Sequence, residues 1–142
     1  MNIRCLLIAI AAIALPCANA AAQEAPILLP DSIRLALVEG SAVPPDCMYP
    51  EAITDTAVFE IACVTMPRFG STAIAAEYIG QLGEQGWYQG QYVTGGMTAE
   101  RTDENDCLNV LNIFPGDYPP GEANSTDVVL WFARDRTPRC PS

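Results

Sequence analysis

The stretch at residues 70–93, GSTAIAAEYIGQLGEQGWYQGQYV, decides the fold because a helix start, an apolar stripe and a helix stop follow one another within it. The hydroxyl of Ser71 or Thr72 can accept a hydrogen bond from the free N–H groups of a first helical turn. Apolar residues then recur on one side of a helix, and the glutamates and glutamines fall outside that stripe. The pattern predicts a helix over about 71–85 whose stripe packs on a sheet: Ile74, Ala75, Tyr78, Ile79 and Leu82.

The end of this helix is marked by Gly86, which can adopt the left-handed backbone conformation that closes a helix. Trp87 follows at once and can fold back onto the helix end. Gly80 and Gly83 lie inside the helix and cost about 1 kcal/mol each relative to alanine. We therefore expect the helix to depend on the sheet beneath it, and we expect a strand over 87–93.

Further strands lie on both sides of this unit, because β-branched and aromatic residues alternate with polar ones in several short runs. Turn residues separate the runs, as in an antiparallel meander. The order predicts a small α+β domain in which one main helix packs on one face of an antiparallel sheet of about four to five strands. The segments are strands over 56–66, 97–102, 107–114 and 127–134, turns at 95–96 and 103–106, and an irregular loop over 115–126.

The last strand is apolar on both faces, so one helix cannot cover it completely. Residues 27–40 fit either a short helix or a strand, and we favour the helix. We expect this segment to cover the second face, with a partner chain as the alternative. The two apolar sets are Val128, Leu130 and Phe132, and Val129, Trp131 and Ala133.

The first twenty residues, MNIRCLLIAIAAIALPCANA, have the features of a cleavable secretory signal peptide. Arg4 precedes an apolar run at 5–15, and a small-x-small pattern ends the segment. The run is too short to span a bilayer, and no later segment is a candidate, so we expect no membrane span after cleavage. Lipidation of Cys17 is an alternative that the preceding proline disfavours. Residues 21–142 then form a single α+β domain.

Four of the six cysteines remain after cleavage of the signal peptide. An even number of cysteines in an exported chain indicates two disulfides, for which three pairings exist. Sequential pairing closes the shortest total loop. We therefore predict the bonds Cys47–Cys63 and Cys107–Cys140, with export to the periplasm or secretion.

The net charge of the chain is −10, and removal of residues 1–20 leaves six arginines against seventeen acidic residues, which gives −11. So negative a charge repels nucleic acid and anionic lipid headgroups. It favours encounter with cationic partners. We expect no nucleic-acid partner.

The chain contains no lysine and no histidine, which removes most common catalytic groups. P-loop, Schiff-base and Ser-His-Asp chemistry lack an essential residue, and so do the common zinc hydrolases. The cysteines form no C-x-x-C motif. We therefore predict no catalytic residues, no metal site and no cofactor.

Carboxylates are the acid and base groups that remain. A pair of them flanking one concave pocket could hydrolyse a glycan. The cluster at 103–106 lacks the alternating oxygen ligands and the glycine of a calcium loop, so we interpret it as a hairpin turn.

Aromatic side chains are the candidate binding residues. We assign Trp87 and Trp131 to the core and place Tyr88 and Tyr92 on the sheet face opposite Trp87. Tyr118 lies in the irregular loop, and structureless loops of about a dozen residues are uncommon without a function. The predicted binding residues are therefore Tyr88, Tyr92 and Tyr118.

The missing catalytic residue types and the acidic charge favour an exported, non-enzymatic interaction domain of the periplasm or cell envelope. Its partner would be a protein or an envelope component. One specific form of the hypothesis is a cationic partner, and a homodimer is an alternative. The competing hypotheses are a carboxylate-only hydrolase acting on a glycan and a purely structural envelope protein.

Overall fold

A computed structural model of the chain describes residues 26–30, 32–49 and 55–141. The predicted signal peptide at 1–20 lies outside the described residues, so the structure does not test it. Within the described ranges, no helix is long and apolar enough to cross a bilayer.

Five antiparallel strands form the main sheet in the spatial order β3-β7-β6-β5-β4, and one helix joins its two edge strands. The prediction of a small α+β fold with one main helix on an antiparallel sheet is confirmed. The elements are β3 (Phe59–Pro67), α1 (Ser71–Glu84), β4 (Tyr88–Val93), β5 (Gly96–Thr102), β6 (Leu108–Tyr118) and β7 (Asp127–Asp135), preceded by the short strands β1 (Ile27–Leu28) and β2 (Leu35–Ala36).

The helix ends where the sequence predicts, and its C-terminus is closed by Gly86 in the left-handed conformation, at a φ of 79°. The Gly86 N–H donates to the Gly83 carbonyl, and the Trp87 N–H donates to the Leu82 carbonyl, both at 3.0 Å. These two bonds satisfy carbonyls that a helix end leaves free. Trp87 is thereby folded back into the core.

The N-terminus of α1 differs from the prediction of a serine or threonine cap. Gly70, with a φ of 93°, is the cap residue, and no side chain makes a capping hydrogen bond. The Ser71 hydroxyl instead donates backwards to the Arg68 carbonyl at 2.9 Å. The first turn is thus fixed by the backbone of the preceding turn.

The segment at 27–40 contains no helix among its described residues, so that prediction was wrong. β1 and β2 pair with each other, and Gln81 of α1 and the C-cap residue Gln85 hold the outer side of β2. The Gln81 side-chain amide accepts from the Ala36 N–H at 2.8 Å and donates to the Ala36 carbonyl at 3.1 Å. Gln85 makes the same pair of bonds with Arg34, at 2.9 and 3.2 Å. The two amides therefore take the place of a neighbouring strand.

The main core lies between α1 and the sheet, and we call this side the helix face. Tyr78 is fully buried and meets Phe132 edge to face, with ring centroids 5.4 Å apart. The 27–40 segment packs into this same core, so it does not cover the opposite side as we expected. The residues that it contributes are Leu28, Leu29, Ile33, Leu35 and Val38.

The opposite side of the sheet, the far face, has a second apolar cluster around Trp131. The Cys47–Cys63 disulfide fastens residues 47–49 over it, and the Trp131 indole N–H donates to the Met48 carbonyl at 3.0 Å. Tyr49 packs against the same cluster, and burial raises the pKa of its hydroxyl above the usual value. A tethered segment therefore closes this part of the far face.

Both predicted disulfides are present, the second joining Cys107 to Cys140. It anchors the chain end beside β6, where Leu108 and Arg139 exchange two backbone hydrogen bonds of 2.8 Å. Disulfides of this kind persist outside the reducing cytosol. The protein accordingly belongs to an extracytoplasmic compartment.

The predicted irregular loop at 115–126 was wrong in its first four residues, because β6 continues to Tyr118 and pairs there with β7. Proline is disfavoured within a sheet because it has no N–H to donate. β5 begins only at Gly96, so β6 has a strand on one side alone at Pro115. The pairing of β6 with β7 therefore continues past Pro115, because this proline needs no partner on the other side.

Candidate interaction surface

Tyr88 and Tyr92 lie on opposite faces of the sheet, which corrects the prediction that they share one. Tyr88 pairs with Glu100 and Tyr92 with Met97, and opposed residues in an antiparallel ladder point the same way. Met97 packs against the helix-face core, so Tyr92 is on the helix face. Glu100 is the neighbour of Ala99, another residue of that core, and therefore lies with Tyr88 on the far face.

A β-bulge between Gln89 and Tyr92 causes this change of side. One extra residue in a strand reverses the alternation beyond it. Thr98 stabilises the bulge, because its hydroxyl accepts from the Gln91 N–H at 2.8 Å. Gly90 is required there, since a Cβ would meet the Thr98 hydroxyl and the Glu100 carboxylate. The bulge directs Tyr92 towards α1.

Tyr92 stands at the edge of an apolar cavity of about 310 Å³ between α1 and the sheet. Its side chain is 80% exposed. Among the described residues, no charged side chain borders the cavity, which is of the size of small ligand sites. Its walls are Ala75, Ile79, Tyr92, Gly96, Met97, Ile113, Pro115 and Leu130.

A second cavity of about 280 Å³ continues the first towards the start of the helix. The two share Ala75, Pro115 and Leu130. Because they share these walls, we describe the two cavities together and call them the helix-face groove. Near the start of the helix, the groove is lined by Met66 of β3 and Ser71 of α1, which lie close to the turn between these two elements.

That turn carries Phe69, whose side chain is 98% exposed. Phe69 lies between Arg68 and the left-handed Gly70, and we call residues 68–70 the Phe69 turn. A fully exposed phenylalanine beside an apolar groove is unusual, since large side chains of this kind dominate cores and interfaces. The sequence signal was an isolated phenylalanine in a polar turn, and periodicity could not show that it was exposed.

Arg68 holds the Phe69 turn rigidly against the end of the sheet. Its backbone N–H donates to the Thr126 carbonyl at 2.8 Å, and its Nε donates to the Ser125 carbonyl at 2.9 Å. Its terminal nitrogen forms an ion pair with Asp117 at 2.6 Å. The phenyl ring is therefore presented to solvent from a fixed backbone.

Tyr118 is separate from the other two predicted binding residues. It ends β6, is half-buried and packs against the far-face cluster around Trp131. Its carbonyl accepts a hydrogen bond from the Ser125 hydroxyl, which fixes the loop that follows. The structure thus brings Tyr92 to the groove, leaves Tyr88 51% exposed on the far face and gives Tyr118 a packing role.

The carboxylates that the structure describes lie outside the lining of the groove. Across the two groove cavities and two further depressions in the described part of the chain, Asp127 is the one carboxylate residue in the lining. Where the structure describes the chain, no three metal-ligating side chains come together. The two-carboxylate pocket that a glycan hydrolase needs has no counterpart in these four cavities.

The acidic segment at 103–106 forms the predicted hairpin turn. The Asp103 carboxylate accepts from the backbone N–H groups of Asn105 and Cys107, at 2.9 and 3.1 Å. These two bonds, in that order, lower the pKa of Asp103, with smaller contributions from Asn109 and Arg101. The carboxylate therefore stabilises the turn in its charged form.

A buried ion pair between Arg134 and Glu60 lies on the helix face, at the end of the sheet opposite the Phe69 turn. Arg134 Nε is 3.0 Å from the Glu60 carboxylate, and the Ser32 hydroxyl also donates to that carboxylate. Asn109 accepts from a second nitrogen of Arg134 at 3.5 Å. This network links the N-terminal segment to β3, β6 and β7, which is a structural role.

Comparison with protein-family models, curated proteins and solved structures finds no match to this chain. The assignment of a function therefore rests on the geometry above.

Proposed function

We propose that the protein is an exported, non-enzymatic interaction domain of the periplasm or cell envelope, and that it binds a polypeptide partner through the Phe69 turn and the helix-face groove. The observation that carries the proposal is the 98% exposure of Phe69 on a turn fixed by Arg68. Binding energy concentrates in aromatic anchors that are rigid before the partner arrives.

The groove supports the same proposal because it adds an adjoining apolar surface without charges. A ridge and a groove side by side allow the partner to be held at two points, by its own pocket around Phe69 and by an apolar side chain placed between α1 and the sheet. The two disulfides and the first twenty residues support export.

Photocrosslinking in the cells that make the protein tests the proposal. The photoreactive analogue p-benzoylphenylalanine replaces Phe69 in one variant and Val58 in a matched control, because Val58 is also exposed and lies before β3, at the opposite end of that strand. We expect a discrete adduct from position 69 and none from position 58. Equal labelling from both positions, or no adduct from position 69, would contradict the proposal.

A further inference from the structure

We infer that the partner is a basic polypeptide, which places an apolar side chain in the helix-face groove and a cationic group beside Asp127. This inference rests on the proposed function and specifies the chemistry of its partner. Three observations support it. Most arginines are bound within the molecule, many exposed carboxylates lie outside ion pairs, and one of these carboxylates, Asp127, lies beside Phe69.

The arginines are mostly engaged within the molecule. Arg68, Arg134 and Arg139 form ion pairs, at 2.6, 3.0 and 3.4 Å. Arg136 donates to the Thr56 carbonyl at 3.0 Å, and the guanidinium of Arg101 lies 4.9 Å from the centre of the Trp87 ring. Five of the six arginines after residue 20 therefore have an internal partner, and little positive charge is presented outwards.

Most carboxylates of the described residues lie outside any ion pair. The three ion pairs of the described residues use Glu60, Asp117 and Asp135. The exposed carboxylates that lie outside these pairs include Glu39, Asp46, Glu77, Glu84, Glu122 and Asp127. The surface field is therefore negative and attracts cationic molecules during encounter.

Asp127 connects this field to the docking surface. It borders a surface depression together with Phe69, Arg68 and Ser125. The one cationic side chain of that depression, Arg68, is already bound to Asp117. Asp127 pairs with Tyr118 and Pro67 at the end of the sheet, on the far-face side of β7. A partner that wraps the Phe69 turn can therefore place a cationic group at Asp127, beside Phe69, and an apolar side chain in the groove.

A second copy of the chain is the less favourable occupant. It would bring the same unpaired carboxylates towards Asp127, and like charges brought together at an interface oppose association. Nucleic acid and anionic lipid surfaces are repelled by the same field. A basic polypeptide satisfies both the apolar groove and the carboxylate.

Three labelled peptides of equal length test the inference, because they separate charge from apolar contact. One alternates lysine with leucine, one alternates glutamate with leucine, and one alternates lysine with serine. Fluorescence anisotropy measures the Kd of each for the processed protein. We expect the lysine–leucine peptide to bind at least ten-fold more tightly than either of the others.

Four variants then locate the binding site. Phe69→Ser should raise the Kd of the lysine–leucine peptide roughly thirty-fold, the effect of removing a hot spot. Asp127→Asn should raise it roughly two- to five-fold, as for one exposed charge pair. Glu77→Gln removes the same charge from the exposed side of α1, and Val58→Ser removes an exposed apolar side chain elsewhere. Each of these two controls should change the Kd less than two-fold.

The possible results have distinct meanings. Equal binding of the glutamate–leucine peptide would overturn the basic partner, and so would equal losses in Glu77→Gln and Asp127→Asn with no loss in Phe69→Ser. A crosslinked adduct of twice the mass of the protein would identify a second copy and would also overturn it. In each of these cases an adduct at position 69 still supports the interaction domain itself, so the two proposals can fail separately.

Discussion

The two faces of the sheet are both apolar, but they are closed in different ways. On the far face, the segment at 47–49 is fastened over Trp131 by the Cys47–Cys63 disulfide and by a hydrogen bond to the indole. On the helix face, α1 and the N-terminal strands cover one part of the core, and the groove beside Tyr92 remains open. An apolar strand face therefore does not reveal which side of a sheet is available to a partner.

The difference shows what a short tether can do. A few residues without regular structure close the far face because a covalent bond positions them. The helix of fourteen residues leaves a groove because its own apolar stripe is narrow and its neighbouring segment packs on one side only. Around the central strands β6 and β7, the apolar surface left open is consequently beside the helix and not behind the sheet.

The largest expected effect separates Trp131 from Tyr92. Trp131→Ala should lower the free energy of unfolding by about 3–5 kcal/mol, because the far-face cluster loses its largest buried side chain. Tyr92→Ala should change it by less than about 0.5 kcal/mol, as for exposed positions. Urea unfolding measures both variants. A large loss in Tyr92→Ala would show that the groove is part of the closed core.

Removal of the Cys47–Cys63 bond should cost about 3 kcal/mol, as expected for a bond across 16 residues. The double variant Cys47→Ala, Cys63→Ala should also speed hydrogen exchange of the Trp131 indole N–H, since Met48 is released. The matched control is Cys107→Ala, Cys140→Ala, whose larger loop predicts a similar or greater loss of stability. If that control exposed the Trp131 indole equally, the specific tether would be refuted.

A smaller effect concerns the closed side of the helix face. Gln81→Ala removes both side-chain hydrogen bonds to Ala36 and should cost about 1 kcal/mol. The Ala36 amide should exchange faster with solvent, as native-state hydrogen exchange can show. Glu84→Ala, at an exposed site of the same helix, is the control and should leave that amide unchanged. If the Ala36 amide exchanged equally slowly in Gln81→Ala and Glu84→Ala, the pairing with β1 alone would be sufficient to hold β2.

The smallest effect is at Asp103, which belongs to neither face and serves as a reference. Its pKa is lowered in the folded protein, so its stabilising contribution is present above the unfolded pKa of about 3.9 and is lost as the pH falls through the lower folded value. Asp103→Asn should therefore be less stable than the wild type at neutral pH, and the difference should shrink below about pH 4. An NMR titration that gave a folded pKa at or above that of the unfolded protein would contradict this.

The helix and the disulfides were predictable because their signals are local. The left-handed Gly86 and the apolar stripe specify where α1 ends and which side it buries. The even cysteine count and the short loops favoured the observed pairing. These features depend on neighbouring residues or on loop closure, which a sequence displays directly.

The details of the site were not predictable for physical reasons. The bulge at Gly90 moves Tyr92 across the sheet, and its stabilising partner Thr98 lies on another strand. The passage of β6 through Pro115 depends on where β5 begins. The turn that presents Phe69 is held by Arg68 contacts with Asp117 of β6 and with Ser125 in the loop after it, 49 and 57 residues away in the chain. Such outcomes are set by contacts between distant segments.

The central claim is that the open apolar surface lies on the helix face and that the far face is closed around Trp131. Methyl NMR of the processed protein with a soluble nitroxide tests it most directly. We expect strong broadening of the methyl signals of Ile79 and Met97, which line the groove, and none for the methyl signal of Ala133, which is fully buried on the far face. Broadening of the Ala133 methyl signal with protection of Ile79 and Met97 would contradict the account.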